Sequence, residues 1–163
     1  MTAHSTHSDG EARFDLDQFL VCRLGADAIA IPLEAVVEVR EREPLTPVPG
    51  AAHFVLGLTS RRGAVVAVID LSDALGIDAS HHDEETGGRE VVLGVDGVDV
   101  ALVADEVLGV SACEELLPPI DGLPQPLRPW CSGTLRTENT LALALSPAFV
   151  AGLKERAGTE AVA

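Results

Sequence analysis

The stretch that most constrains this chain is Gly57-Leu58-Thr59-Ser60-Arg61-Arg62-Gly63, running into Ala64-Val65-Val66-Ala67-Val68-Ile69-Asp70-Leu71. Two short apolar runs meet at a polar tip, and β-branched residues dominate Val65 to Ile69. A branched Cβ packs well on a pleated surface and crowds a helix, so these runs favour strands. Gly63 supplies the backbone freedom of a tight turn and Gly57 thins the first strand, so the segment reads as a β-hairpin. Arg61 and Arg62 stand at its tip. In a chain with 11 basic and 26 acidic residues they form a local positive feature in a negative field, and arginine offers a rigid fork to a partner's carboxylates.

A chain of 163 residues can bury a self-sufficient core, as one domain or as two small barrels sharing it. With 47% apolar and only 3% aromatic residues, that core is built from Val, Leu, Ala and Ile, which again favours strands. A formal net charge of −15 repels phosphate backbones, and no concentrated basic face offsets it, which argues against nucleic-acid binding. Cys22, Cys113 and Cys131 are odd in number and lack CxxC spacing, as expected in a reducing compartment, and each reads as a small packed residue. Met1 to Asp17 has neither the basic start nor the apolar centre of a signal peptide, and no run approaches the roughly twenty apolar residues of a membrane span. The expected location is the cytoplasm.

Along the chain, Phe19 to Leu24 and Ala28 to Ile31 flank Gly25-Ala26-Asp27 as a first hairpin, which Pro32 ends. From Ala35 to Arg40 a strand separates Val37 and Val39 from Val36, Glu38 and Arg40, and the second set is expected to face solvent. Glu41 to His53 holds Pro44, Pro47, Pro49 and Gly50 and reads as a loop, while Leu71 to Leu75 reads as one helical turn stopped by Gly76. Glu90 to Val95 and Val98 to Val103, joined at Asp96-Gly97, form a type I′ hairpin. Pro118 to Pro129 is a crossing segment before a packed Trp130, and a last hairpin joins Cys131 to Leu135 with Leu141 to Leu145 around Thr137-Glu138-Asn139. Ser146 caps a helix from about Ala148 to Arg156, opened by Pro147 and closed by Lys154 and Arg156. The count is about ten strands in two sets, Phe19 to Ile69 and Glu90 to Leu145, so the fold class is mostly β.

No nucleophile elbow, phosphate-binding loop, dinucleotide fingerprint or H-E-x-x-H motif is present. Asp70 and Asp105 could be offered as an acid–base pair, but at strand ends aspartate commonly caps or turns the chain. His81 and His82 beside Asp83, Glu84 and Glu85 imitate a metal site, but adjacent side chains in a loop rarely converge with fixed geometry, so no metal is expected.

In order, the Val36 to Val39 segment, a proline-rich loop, Gly57, the Arg62-Gly63 turn and a strand closing in Asp70-Leu71 resemble the CheW family of chemotaxis coupling proteins. Arg89 to Val95, Asp96-Gly97, Val98 to Ala104 and Asp105-Glu106-Val107 extend the resemblance, which runs from about Phe19 to Arg156. Ser60 stands where that family usually has Asn, and Ala67 where it has proline.

The resemblance implies two five-stranded β-barrel subdomains at about 17–77 and about 88–146 within a domain at 17–157, with a short helix at about 147–157. Met1 to Arg13 is rich in Ser, Thr, His and Asp with almost no large apolar residues, so 1–16 reads as a disordered tail, and 158–163 is expected to be a flexible end. It also implies a non-catalytic adaptor without cofactor or metal, coupling the cytoplasmic tip of a chemoreceptor to the regulatory domain of a CheA-type histidine kinase. Such a protein reaches membrane-associated arrays through its partners. The partner-binding residues carried over are Val36, Glu38, Gly57, Arg62 and Gly63, with Arg61 added from the tip itself. Two competing readings are a CheW-like adaptor that binds receptors or a localisation partner but not the kinase, and a small acidic enzyme or metal module using Cys113, His81 and His82.

Overall fold

The structure is a computed structural model that describes residues 18–75, 88–95, 97–113, 115–123, 125–138, 140–146, 149 and 152. The expectations for the acidic tail, for His81 and His82, for Gly76, Asp96 and Asn139, and for the C-terminal helix with Lys154 and Arg156 lie outside these residues.

The hairpins form where turn residues permit. Strands β1 (Gln18–Leu24) and β2 (Asp27–Pro32) pair antiparallel across Gly25. After β3 (Val36–Glu41) and the proline-rich loop come β4 (Val55–Arg61), β5 (Ala64–Asp70) and the helical turn α1 (Leu71–Leu75). The next hairpin is β6 (Arg89–Val95) with β7 (Val98–Ala104), followed by β8 (Glu106–Ala112) and the two-residue β9 (Leu116–Leu117). Finally β10 (Cys131–Arg136) pairs with β11 (Leu141–Leu145). Trp130 meets Phe149 edge-on with ring centroids 5.6 Å apart, and the Phe149 N–H donates to Ser146 Oγ at 3.3 Å, the bond expected of an N-cap serine.

These strands form a six-stranded sheet, in the order β8-β1-β2-β11-β10-β9, and a five-stranded sheet, in the order β3-β6-β7-β5-β4. Each sheet draws strands from both halves of the chain. The first sheet takes β1 and β2 from one end of the chain and β8 to β11 from the other, while β3 to β5 join β6 and β7. The exchange rests on four pairings, the antiparallel β1 with β8 and β3 with β6 and the parallel β2 with β11 and β5 with β7. Strands such as Val65 to Ile69 and Leu141 to Leu145 are apolar on both faces, so nothing in their pattern specifies a partner.

Three apolar clusters explain why. Leu20, Ile29, Ile31 and Leu143 of the six-stranded sheet pack with Ile69, Val91, Leu93 and Leu102 of the five-stranded sheet, with Phe54 and Phe149 added. The alternate residues of the same strands form two further clusters: Phe19, Val21, Ala30, Leu135 and Ala142 in one sheet, and Val66, Val68, Val92, Ala101 and Val103 in the other. One face of each sheet lies on its neighbour, so the second face is buried by the sheet curling over itself.

Candidate functional site

The β4–β5 hairpin closes with two residues, Arg62 at φ 50° and Gly63 at φ 81°. Both are left-handed, as a type I′ turn requires. Gly63 adopts this freely, whereas a left-handed arginine costs roughly 1 to 2 kcal/mol. Thus Arg62 enters the strained position while Ser60 stays in the strand, paired with Val65.

The two tip arginines diverge. Arg61 turns inward, its side chain only 14% exposed, and donates from Nε to Glu38 Oε1 at 2.9 Å and from Nη1 to Asp99 Oδ2 at 3.2 Å. Arg62 is exposed and, among the described residues, makes no ion pair. The hydrogen bond from Arg61, together with the charges of Arg61, Arg40 and Arg62, holds the Glu38 carboxyl below its ordinary range.

A second charged group lies beside the first. Glu90 is fully buried; its Oε1 accepts from Arg40 Nε at 3.0 Å and its Oε2 from the Glu43 N–H at 3.1 Å. Arg40 Nη1 donates to the Ser60 carbonyl at 3.2 Å. A carboxylate in this position is tolerated only because both oxygens are engaged.

The expected orientation of β3 is reversed. Glu38 and Arg40 point into the curl of the sheet toward Arg61 and Glu90, and Val36 packs half-buried against the core between the sheets. It is Val37 and Val39 that face outward, 44% and 41% exposed, and Val65 near the hairpin tip is 67% exposed. The alternation was legible, but the polar set is drawn inward by partners on strands distant in sequence.

Gly57 is buried beneath the proline-rich loop. Thr46 and Leu58 exchange two backbone hydrogen bonds of 2.8 Å, and a Cβ at Gly57 would stand 2.9 Å from the Thr46 carbonyl oxygen. Its absence of side chain lets the loop pair with β4, so Gly57 shapes the hairpin from below while Gly63 turns it. Arg61 and Glu38 brace it, and Arg62 is the group displayed.

Sequence reasoning missed Asp99 and the Arg40–Glu90 pair. A signal was available: Glu90 and Asp99 each share a strand face with buried valine or alanine, and a carboxylate on such a face needs a partner.

The two aspartates weighed as an acid–base pair take local structural bonds. Asp70 Oδ1 accepts from Ser72 Oγ at 2.6 Å and from the Asp73 N–H at 3.2 Å, capping α1, and Asp105 Oδ2 accepts from the Gly25 N–H at 2.6 Å. Burial pushes the Cys22 thiol up to about 12 and raises that of Cys131, the opposite of nucleophile activation. Among the described residues no three His, Cys, Asp or Glu side chains gather as a metal site, and no helix is long and apolar enough to cross a membrane.

The chain is thus a mostly β domain of two sheets, braced by ionic side chains and displaying a cation and several valines. Comparison with known sequences makes this specific. Residues 18–153 match the CheW-like domain, and the chain belongs to that family of chemosensory adaptors. It is 38% identical over 112 residues to Protein FrzA of Myxococcus xanthus, covering 68% of this chain and 65% of FrzA, just under two thirds of that protein's length. It is 31% identical over 110 residues to Chemotaxis protein CheW of Thermotoga maritima, covering 68% of this chain and 69% of that protein. The crystal structure of the scaffolding protein TtCheW from Thermoanaerobacter tengcongensis shares the fold, with a TM-score of 0.69 over 81% of this chain and 90% of that one, at 20% identity.

Proposed function

We propose that this protein is a non-catalytic coupling adaptor that holds the regulatory domain of a CheA-type histidine kinase and the cytoplasmic tip of a chemoreceptor in one assembly, recruited to membrane-associated arrays by those partners. Co-localisation raises the effective concentration of each partner for the other and lets a conformational change in the receptor bias the kinase. The observation that carries the reading is the exposed Arg62, left available in a chain of net charge −15 by the inward turn of Arg61. Because Arg61 reaches Glu38, the hairpin tip lies against β3, whose Val37 and Val39 are exposed. Apolar side chains supply contact area there, and the cation selects a partner that offers a carboxylate.

The test is a calorimetric titration of the protein with the regulatory domain of its cognate kinase and, separately, with a soluble receptor tip. Saturable one-to-one binding to both, weakened by Arg62→Glu with an unchanged melting temperature, is expected. Binding to the receptor tip alone would replace the coupling role with a receptor-side one. Binding to neither by a folded protein would overturn the proposal.

A further inference from the structure

The geometry points to a division of labour between the two tip arginines: Arg61, by occupying Glu38 and Asp99 together, is a positioning residue that keeps Arg62 out of intramolecular pairing and available to a partner's carboxylate. This rests on the adaptor reading above and adds a determinant of its specificity.

Two arginines stand at one hairpin tip beside two carboxylates of the same sheet, Glu38 of β3 and Asp99 of β7. Arg61 takes both. Its Nε and Nη1 lie on separate limbs of the fork, so one rigid group bonds two acceptors at 2.9 and 3.2 Å. Arg62 is close enough for its charge to act on the Glu38 carboxyl, yet among the described residues it forms no ion pair. In a strongly acidic chain an exposed arginine is drawn to an unsatisfied carboxylate within reach, and Glu38 and Asp99 beside the tip are already engaged by Arg61. Removing Arg61 would leave Glu38 and Asp99 half-buried and uncompensated. Arg62 is the group at hand to neutralise them, and a captured Arg62 no longer faces a partner.

A structural strut and a positioning residue make different predictions for a second substitution. If Arg61 acts by saturating the carboxylates, removing the carboxylates should undo the effect of removing Arg61. The variants are Arg61→Leu and the triple Arg61→Leu/Glu38→Gln/Asp99→Asn, each compared with wild type. In the free protein, NMR of arginine Nε–H groups should show slow exchange at Arg61 in wild type, at Arg62 in Arg61→Leu, and at neither in the triple variant. Against whichever purified partner binds wild type in the titration above, Arg61→Leu should lose about tenfold in affinity, the size of one charged contact at an interface rim, and the triple variant should recover most of it. Fast exchange at Arg62 in Arg61→Leu, or no recovery in a folded triple variant, would overturn the inference. If Arg61→Leu does not fold, Arg61→Lys carries the test: its point charge reaches one carboxylate at a time, so Arg62 should pair with the other and show slow exchange. Absence of that signal would be equally decisive. Should wild type bind neither partner, the adaptor reading fails, while the exchange measurement on the free protein still decides the division of labour.

Discussion

Glu38 Oε1 lies 2.9 Å from Arg61 Nε although the two residues stand on β3 and β4, the outermost strands of the five-stranded sheet. Strands at opposite edges meet in this way only if the sheet curls until its edges face each other. Arg40 repeats the link by donating to the Ser60 carbonyl. Charged side chains thus join edges that share no backbone ladder. With Thr46 covering Leu58, they also occupy polar groups that would otherwise template pairing with another chain.

Arg62 is expected to trade stability against binding. Asparagine tolerates a left-handed backbone better than arginine, so Arg62→Asn is expected to stabilise the protein by about 0.5 to 1 kcal/mol while weakening partner binding. Urea unfolding and the calorimetric titration, run on the same preparation, check both signs.

Breaking the buried pair is expected to be expensive. Arg40→Ala leaves the fully buried Glu90 without its cation and should cost about 3 to 5 kcal/mol, whereas the double variant Arg40→Ala/Glu90→Val should recover a large part of this. A urea-denaturation cycle over the four proteins measures the coupling; additive losses would show that the pair is not a unit.

Gly57→Ala should loosen the proline-rich loop. The added methyl meets backbone rather than a movable side chain, with a predicted loss of about 1 to 3 kcal/mol. Hydrogen exchange is the sensitive measurement, with faster exchange expected at the Thr46 and Leu58 amides and little change in β7.

The Glu38 carboxyl is held below its ordinary value of 4.5, chiefly by the hydrogen bond from Arg61. A depressed folded-state pKa contributes stability above the unfolded-state value, and that contribution is lost as pH falls through the folded-state value. The stability difference between wild type and Glu38→Gln should therefore be present at neutral pH and shrink on acidification below the ordinary carboxylate range. Denaturant midpoints measured across that range test the sign.

Cys22, with its thiol pushed up to about 12 inside the core, should resist alkylation in the folded protein and react only on unfolding. Mass spectrometry of peptides labelled before and after urea treatment reads this directly.

What the sequence determined by itself was local. The turns at Gly25, Arg62-Gly63 and Gly97, the breaks at the prolines, the single turn of α1 and the Ser146 cap all depend on residues within a few positions of one another. The alternation of β3 was legible for the same reason. Tertiary structure decided which of its faces turned inward, because the partners that draw Glu38 and Arg40 into the curl sit 23 and 50 residues away in sequence. It also decided which strands share a sheet. β5 and β11 are apolar on both faces, and such a run carries no record of the neighbour it takes; only the joint burial of three clusters selects the parallel pairings with β7 and β2. The separate surroundings of Arg61 and Arg62 arise there too, since only the folded sheet places Glu38 and Asp99 within reach of one of them.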